Sequence, residues 1–189
     1  MKVGILDIQG SVKEHFEALK KCKVPTVLVK TVDDLNEVSG LIIPGGESTT
    51  IGKLLKRFGL GNEIIKRVRN GMPVWGTCAG AILLAKKIIN DEKVDGLNLM
   101  NIEISRNSYG RQVDSFETEI EFDFDGAIKK IPAVFIRAPK IAIVGKGVKI
   151  LAKYGQDIVA AREKNMLSTT FHPEMTNNIS VHKYFIEMC

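Results

Sequence analysis

The sequence predicts a three-layer α/β fold on a mixed, mostly parallel central sheet, and three observations carry that expectation. Short apolar runs at Lys2–Ile8, Thr26–Lys30 and Gly40–Ile43 alternate with helical patterns, an order that lays helices across both faces of a parallel sheet. A further strand signal at Val74 and Trp75 runs directly into Gly76-Thr-Cys-Ala-Gly80 and a helical stretch. From Glu117 onward Thr118, Ile120 and Phe122 alternate with Glu119, Glu121 and Asp123, the pattern of an antiparallel strand with one wet face.

Taken in order, the elements follow from local chemistry. Ser11 is placed to cap a helix whose Val12, Phe16 and Leu19 form one buried face, with Lys13, Glu14, Glu17 and Lys20 outside. Pro25 precedes the second strand, and Thr31–Val38 reads as a polar, partly helical connection. Pro44-Gly-Gly-Glu-Ser-Thr-Thr50 leaves the carboxyl end of the third strand, where ligands bind in open α/β sheets. Its glycines let backbone N–H groups approach a ligand, and Ser48 or Thr49 can cap the helix through Leu54, Leu55 and Phe58. No Gly-Lys-Ser/Thr follows, so this is not a phosphate-binding P-loop. Glu63–Arg69 forms another helix ended by Asn70-Gly71, and Pro73 opens the strand leading to Cys78. Glu103–Asp114 is polar and aromatic. Ala133–Ile136, Ile141–Val144, Val148–Tyr154 and Ile158–Arg162 suggest short strands, Leu167–Phe171 leads into His172-Pro-Glu174, and Val181–Met188 closes the chain as an amphipathic helix.

Composition narrows the function classes. At 189 residues, 44% hydrophobic and 26% charged, residues 1–189 are expected to form one domain with a proper core. No apolar run approaches the roughly 18 residues of a membrane span, and Asp7 inside the first apolar run argues for a strand over a signal peptide. Cys22, Cys78 and Cys189 are odd in number and lack metal-ligand spacing, which suits a reducing cytoplasm and implies no metal centre. The net charge of +5 is spread as pairs such as Lys20-Lys21, Lys86-Lys87 and Lys129-Lys130. With three Tyr, one Trp and no nucleic-acid-binding motif, it reads as a solvated surface, with a basic patch for an acidic partner left open.

The chemistry centres on Cys78. Glycines on both sides suit a sharp strand-to-helix turn that holds a nucleophile in a strained conformation, and a helix N-terminus favours thiolate. Cysteine is also among the most buried residue types, so a core role is the plain alternative. A thiol needs a base, and the base needs orienting. His15 falls on the first helix and His182 on the last; only His172 ends a strand, with Glu174 two residues on to hold its tautomer. Cys78, His172 and Glu174 therefore form a candidate triad, and the residues alone give His15 no role.

Pro44-Gly-Gly, Gly76-Thr-Cys-Ala-Gly80 and His172-Pro-Glu174, in that order and spacing, resemble the class I, triad-type glutamine amidotransferases. Ile8-Gln-Gly-Ser-Val-Lys-Glu-His15, Pro44-Gly-Gly-Glu-Ser-Thr-Thr50, Arg106-Asn-Ser-Tyr-Gly-Arg-Gln-Val-Asp-Ser-Phe-Glu117 and Phe135-Ile-Arg-Ala-Pro139 resemble, more narrowly, the PdxT-type glutaminase subunits of pyridoxal 5′-phosphate synthase. The similarity runs from Met1 to near Cys189. It implies a flavodoxin-like fold, a cytoplasmic glutaminase acting on L-glutamine without metal or cofactor, and a synthase subunit as the partner that takes the ammonia. It implies further that Cys78 is the nucleophile, completed by His172 and Glu174. Gly46, Glu47, Ser48, Arg106, Ile136 and Arg137 would bind glutamine. The Ala79 N–H and a glycine N–H of the Gly45-Gly46 loop, Gly46 in particular, would form the oxyanion hole. Arg106 or Arg137 could pair with the substrate carboxylate; the residues alone leave Arg111 equally open. His15 and Gln9-Gly10 would lie near the partner interface. Departures are small: Asn90–Asn98 is a variable connection and Thr169-Thr170 precedes Phe171. Two rivals stand beside this reading. One is a Cys hydrolase of the intracellular-protease type, which places His directly after its Cys where this chain has Ala79. The other is a non-catalytic module binding a partner or nucleic acid.

Overall fold

The computed structural model describes residues 1–89, 93–106 and 115–189. The first half is built from strands β1 (Val3–Leu6), β2 (Thr26–Val29), β3 (Gly40–Ile43) and β4 (Val74–Thr77). Helices α1 (Val12–Lys21), α2 (Val32–Asn36), α3 (Ser48–Arg57) and α4 (Leu60–Arg69) connect them, and α5 (Ala79–Leu84) follows β4. The second half carries β5 (Ala85–Ile89), β6 (Met100–Ser105), β7 (Ser115–Phe124), β8 (Ala127–Ile136), β9 (Lys140–Val144), β10 (Lys149–Tyr154), β11 (Asp157–Glu163) and β12 (Met166–Thr169). A 3₁₀ turn, Pro173–Met175, then leads to α6 (Ser180–Met188).

The sheet runs β2-β1-β3-β4-β12-β11-β10-β7-β8. From β2 to β12 every pairing is parallel, and from β12 to β8 every pairing is antiparallel. β9 joins β11 and β6 antiparallel, and β6 joins β5 parallel. The sheet is thus mixed around a parallel centre, as the alternating runs predict. Its strands feed two cores, because neighbouring residues on a strand point to opposite faces. Leu6, Leu41, Ile43 and Val74 pack with Ile51, Leu55, Ile64 and Val68 of α3 and α4. Ile5, Ile42 and Trp75 pack on the other face with Leu19 of α1 and Val181 and Phe185 of α6. Those are the outer layers of the expected three. Among the described residues no helix is long and apolar enough to cross a membrane.

The pairing that matters most is β12 with β4. Thr169 lies opposite Thr77, so the chain leaves both strands at adjacent points on the carboxyl edge. Residues 94 positions apart in sequence, Cys78 and His172, are thereby brought to one place.

Several local expectations are corrected. Leu19 is buried and Val12 packs against the core as the spacing predicts, but Phe16 is 36% exposed and His15 takes its place on the buried face of α1. A buried polar cluster, not the aromatic ring, occupies the inner position. Ser11 makes no side-chain cap to α1; its hydroxyl donates to Glu174 instead. Neither Ser48 nor Thr49 caps α3. Glu47 does, its carboxylate accepting from the Thr49 and Thr50 N–H groups at 3.0 and 2.7 Å, where it also meets the positive helix end. Phe58 ends exposed at the C-terminus of that helix. α4 begins at Leu60, earlier than its periodicity suggests, because Gly59 turns the chain with φ of 70°. Residues 90–92 of the Asn90–Asn98 connection and 107–114 of the Glu103–Asp114 stretch, Arg111 included, lie outside the described residues.

Candidate active site

Cys78 sits between β4 and α5 with φ of 47° and ψ of −101°, a backbone region that residues bearing a Cβ rarely adopt. The surroundings enforce it. A Cβ on Gly76 would overlap the Gly80 backbone, and one on Gly80 would overlap the Ile43 carbonyl. Both glycines are therefore required by close approach, and the strain falls on the residue between them. The Cys78 N–H donates to the Thr169 carbonyl at 2.8 Å, which ties the turn to β12.

The imidazole arrives from the end of β12. The His172 N–H donates to the Val134 carbonyl at 2.8 Å, and the 3₁₀ turn folds Glu174 back onto the ring. His172 Nδ1 lies 2.7 Å from Glu174 Oε1, and the ring is also hydrogen-bonded to Cys78. Burial would pull the imidazole down, but the hydrogen bonds to Cys78 and Glu174 and the charges of both outweigh it and hold it up near about 10. Burial likewise works against the Glu174 charge; the His15 and His172 imidazoles and the Ser11 hydroxyl, 2.7 Å from Oε1, hold the carboxyl down at about 2. This favours imidazolium beside carboxylate, the state that stabilises a neighbouring thiolate.

Cys78 and His172 open into a cavity of about 550 Å³, in the range of small-molecule sites. Gly46, Glu47, Ser48, Ala79, Arg106, Ile136 and Arg137 line it with them, so the structure gathers every residue the sequence nominated except Glu174, which stands behind the imidazole. Their parts differ. Both Glu47 oxygens are engaged at the start of α3, and Arg106 Nη2 lies 3.5 Å from one of them, which positions the guanidinium at the cavity wall. Ser48 Oγ is buried without a hydrogen-bond partner among the described residues. Arg137 is exposed and held with φ of 42°, a second strained non-glycine residue in the site. Gln9 also lines the cavity and accepts from the Glu47 N–H at 2.8 Å.

What the residues alone missed lies behind Glu174. His15 is fully buried and stands 3.5 Å from Glu174 Oε2. His182 is 3.0 Å from His15, and Trp75 packs edge-on against both rings. All three histidines of the chain therefore converge on one spot, and their scarcity was the one sequence signal that could have grouped them.

A strained thiol on a strand-to-helix turn, an imidazole from the adjacent parallel strand and a carboxylate behind it, on a sheet covered on both faces, define a triad-type amidotransferase. The chain belongs to the SNO glutamine amidotransferase family, whose sequence profile matches residues 5–189. It is 50% identical over 188 residues to the PdxT subunit of pyridoxal 5′-phosphate synthase from Pseudothermotoga lettingae, covering 100% of this chain and 95% of that one. It is also 50% identical over 190 residues to the PdxT subunit from Thermotoga maritima, covering 100% and 99%. A crystal structure of a glutamine amidotransferase superposes with a TM-score of 0.93 at 42% identity, over 98% of this chain and 97% of the other. The protease-type alternative loses its footing here, since Ala79 follows Cys78 and the histidine beside the thiol comes from beyond β12.

Proposed function

We propose that this chain is the glutaminase subunit of a pyridoxal 5′-phosphate synthase, acting as one domain over residues 1–189. It hydrolyses L-glutamine to L-glutamate and ammonia and delivers the ammonia to a synthase subunit. The observation that carries the chemistry is the single imidazole hydrogen-bonded to both Cys78 and Glu174 at the wall of the cavity. The names of the 50%-identical relatives support the pathway and the partner. Three free cysteines fit a reducing, cytoplasmic setting.

The Cys78 thiolate attacks the side-chain amide carbon, and the carbonyl electrons move to oxygen, where the Ala79 and Gly46 N–H groups receive the oxyanion. Collapse of that intermediate breaks the C–N bond. The His172 imidazolium gives its proton to the departing nitrogen, so ammonia leaves and a glutamyl thioester remains. Neutral His172 then deprotonates a water that adds to the thioester, and the C–S bond breaks to regenerate thiolate and release glutamate. Glu174 keeps Nδ1 protonated throughout, so Nε2 faces the reacting atoms. Arg106 and Arg137 stand at the cavity to pair with the substrate α-carboxylate.

The test is glutamate release by the chain with and without the synthase subunit, with the mass of the mixture recorded in parallel. Cys78→Ala is expected to abolish turnover while leaving the fold and partner binding intact. Full turnover in that variant would overturn the assignment.

A further inference from the structure

We propose that His15, backed by His182, is a positioning residue for the reaction, holding the Glu174 carboxylate by the oxygen that His172 does not use. The proposal rests on the reading of Cys78, His172 and Glu174 as the reacting groups.

Glu174 Oε1 is shared by His172 Nδ1 and the Ser11 hydroxyl, each at 2.7 Å. Oε2 is buried and makes no conventional hydrogen bond among the described residues; it faces His15 Nε2 at 3.5 Å. The same Nε2 is 3.2 Å from Thr77 Oγ1, while Nδ1 is 3.0 Å from His182 Nε2. One tautomer fits all of these neighbours. A lone pair on Nε2 would confront the carboxylate, so the proton sits on Nε2 and points toward Oε2 and Thr77. Nδ1 is then an acceptor, and His182 must supply its Nε2–H. That leaves His182 Nδ1, which is buried without a partner among the described residues, as a bare lone pair and not a stranded donor.

The groups facing this pair are Glu174 and His172 from the segment after β12, Glu14 on α1 itself, and the two rings toward each other. Burial lowers both imidazoles below their ordinary value, His182 to about 3, so His15 acts on Glu174 as a neutral, oriented N–H. Trp75 fixes both rings edge-on, at centroid distances of 5.4 and 4.9 Å. With Oε1 alone held, the carboxylate could rotate away from His172. An N–H aimed at Oε2 restrains that plane and so keeps the His172 imidazolium stabilised beside the Cys78 sulfur.

The experiment uses the complex with the synthase subunit and compares wild type, His15→Leu, His15→Gln and His182→Leu. It reads kcat and KM for glutamine, the melting temperature, and the pH midpoint of Cys78 alkylation by iodoacetamide. His15→Leu is expected to lower kcat by about 10- to 100-fold with KM little changed, and to move the alkylation midpoint upward. His15→Gln, whose side-chain N–H replaces the Nε2 donor, is expected to recover much of both. If His15→Leu does not fold, His182→Leu, which frees the tautomer, is expected to show a smaller loss of kcat and a midpoint shift of the same sign. A wild-type midpoint and kcat in His15→Leu, or in His182→Leu where the former is insoluble, would make the histidines core filler and overturn the proposal. Equal losses in His15→Leu and His15→Gln with an unmoved midpoint would do the same. Absence of turnover by the wild-type complex would instead sink the glutaminase reading itself.

Discussion

Removing the Ser11 hydroxyl separates two accounts of the same residue. By its position before α1, Ser11 looks like a helix cap; in the structure its hydroxyl donates to Glu174 Oε1 at 2.7 Å, with both residues buried. A hydrogen bond to a buried charge contributes about 1.5–3 kcal/mol. Ser11→Ala should therefore lose about that much stability at pH 7, or about 4–10 °C in Tm for a chain of this size. The sign with pH follows from Glu174, whose folded-state carboxyl is depressed from 4.5 to about 2. Stability from a depressed carboxyl is full above its unfolded value and is lost as pH falls through the folded one. The difference between wild type and Ser11→Ala should accordingly be largest above about pH 4.5 and shrink toward pH 2. Glutamine turnover in the complex should fall as well, since one of the two donors on Oε1 is gone. A lost helix cap would cost a similar ~0.5–2 kcal/mol, but equally at both pH values and with kcat untouched. Urea unfolding at pH 7 and pH 3 with kcat measured alongside decides between them; a pH-independent loss with wild-type kcat would refute the assignment.

Three further outcomes are expected. Gly80→Ala should destabilise by about 1–3 kcal/mol or more and slow Cys78 alkylation, because the new methyl meets the Ile43 carbonyl and must push α5 off the turn; thermal melts and alkylation rates measure both effects. His172 is raised to about 10, so its stabilising share is full below about 6.5 and is lost as pH rises toward 10. Glu174→Gln should flatten that alkaline slope in urea midpoints taken at pH 6.5 and 9.5. Arg106→Ala should raise KM for glutamine about tenfold with a smaller effect on kcat, the pattern of a group that binds ground state and transition state alike; steady-state kinetics in the complex would show it.

The sequence made the scaffold and the front of the site legible because both depend on local chemistry. Strands read as apolar runs, and the wet face of β7 read as alternation, with Ile120 and Phe122 buried as their period requires. Cys78 was exposed by its two glycines, whose necessity is a matter of contact over a few residues. The back of the site was not legible. Phe16 outranked His15 as a core residue on hydrophobicity alone, yet the ring is outside and the imidazole inside. That inversion depends on Glu174 and His182, more than 150 residues away, and no periodicity in α1 encodes it. The capping role of Glu47 was equally hidden: Ser48 and Thr49 are the usual capping types, yet it is the Glu47 carboxylate that closes the first turn of α3 while the residue also lines the cavity.

The strain at Cys78 sets the demand that the rest of the site answers. A non-glycine residue at positive φ costs on the order of 1–3 kcal/mol and persists only where its neighbours over-determine it. The Cys78 N–H is fixed to Thr169, but the strand leading into the turn ends at Thr77, whose hydroxyl reaches His15 Nε2 at 3.2 Å. The same nitrogen stands 3.5 Å from the carboxylate that orients His172. α1 and the residue before it therefore brace both halves of the site, through His15 at Thr77 and Glu174 and through Ser11 at Glu174. Thiol and imidazole come from different strands, and the register of β4 against β12 alone would fix their backbones but not the planes of their side chains. α1 supplies that restraint through one buried polar residue, His15, which stands against Thr77 at the end of β4 and against Glu174 in the turn after β12.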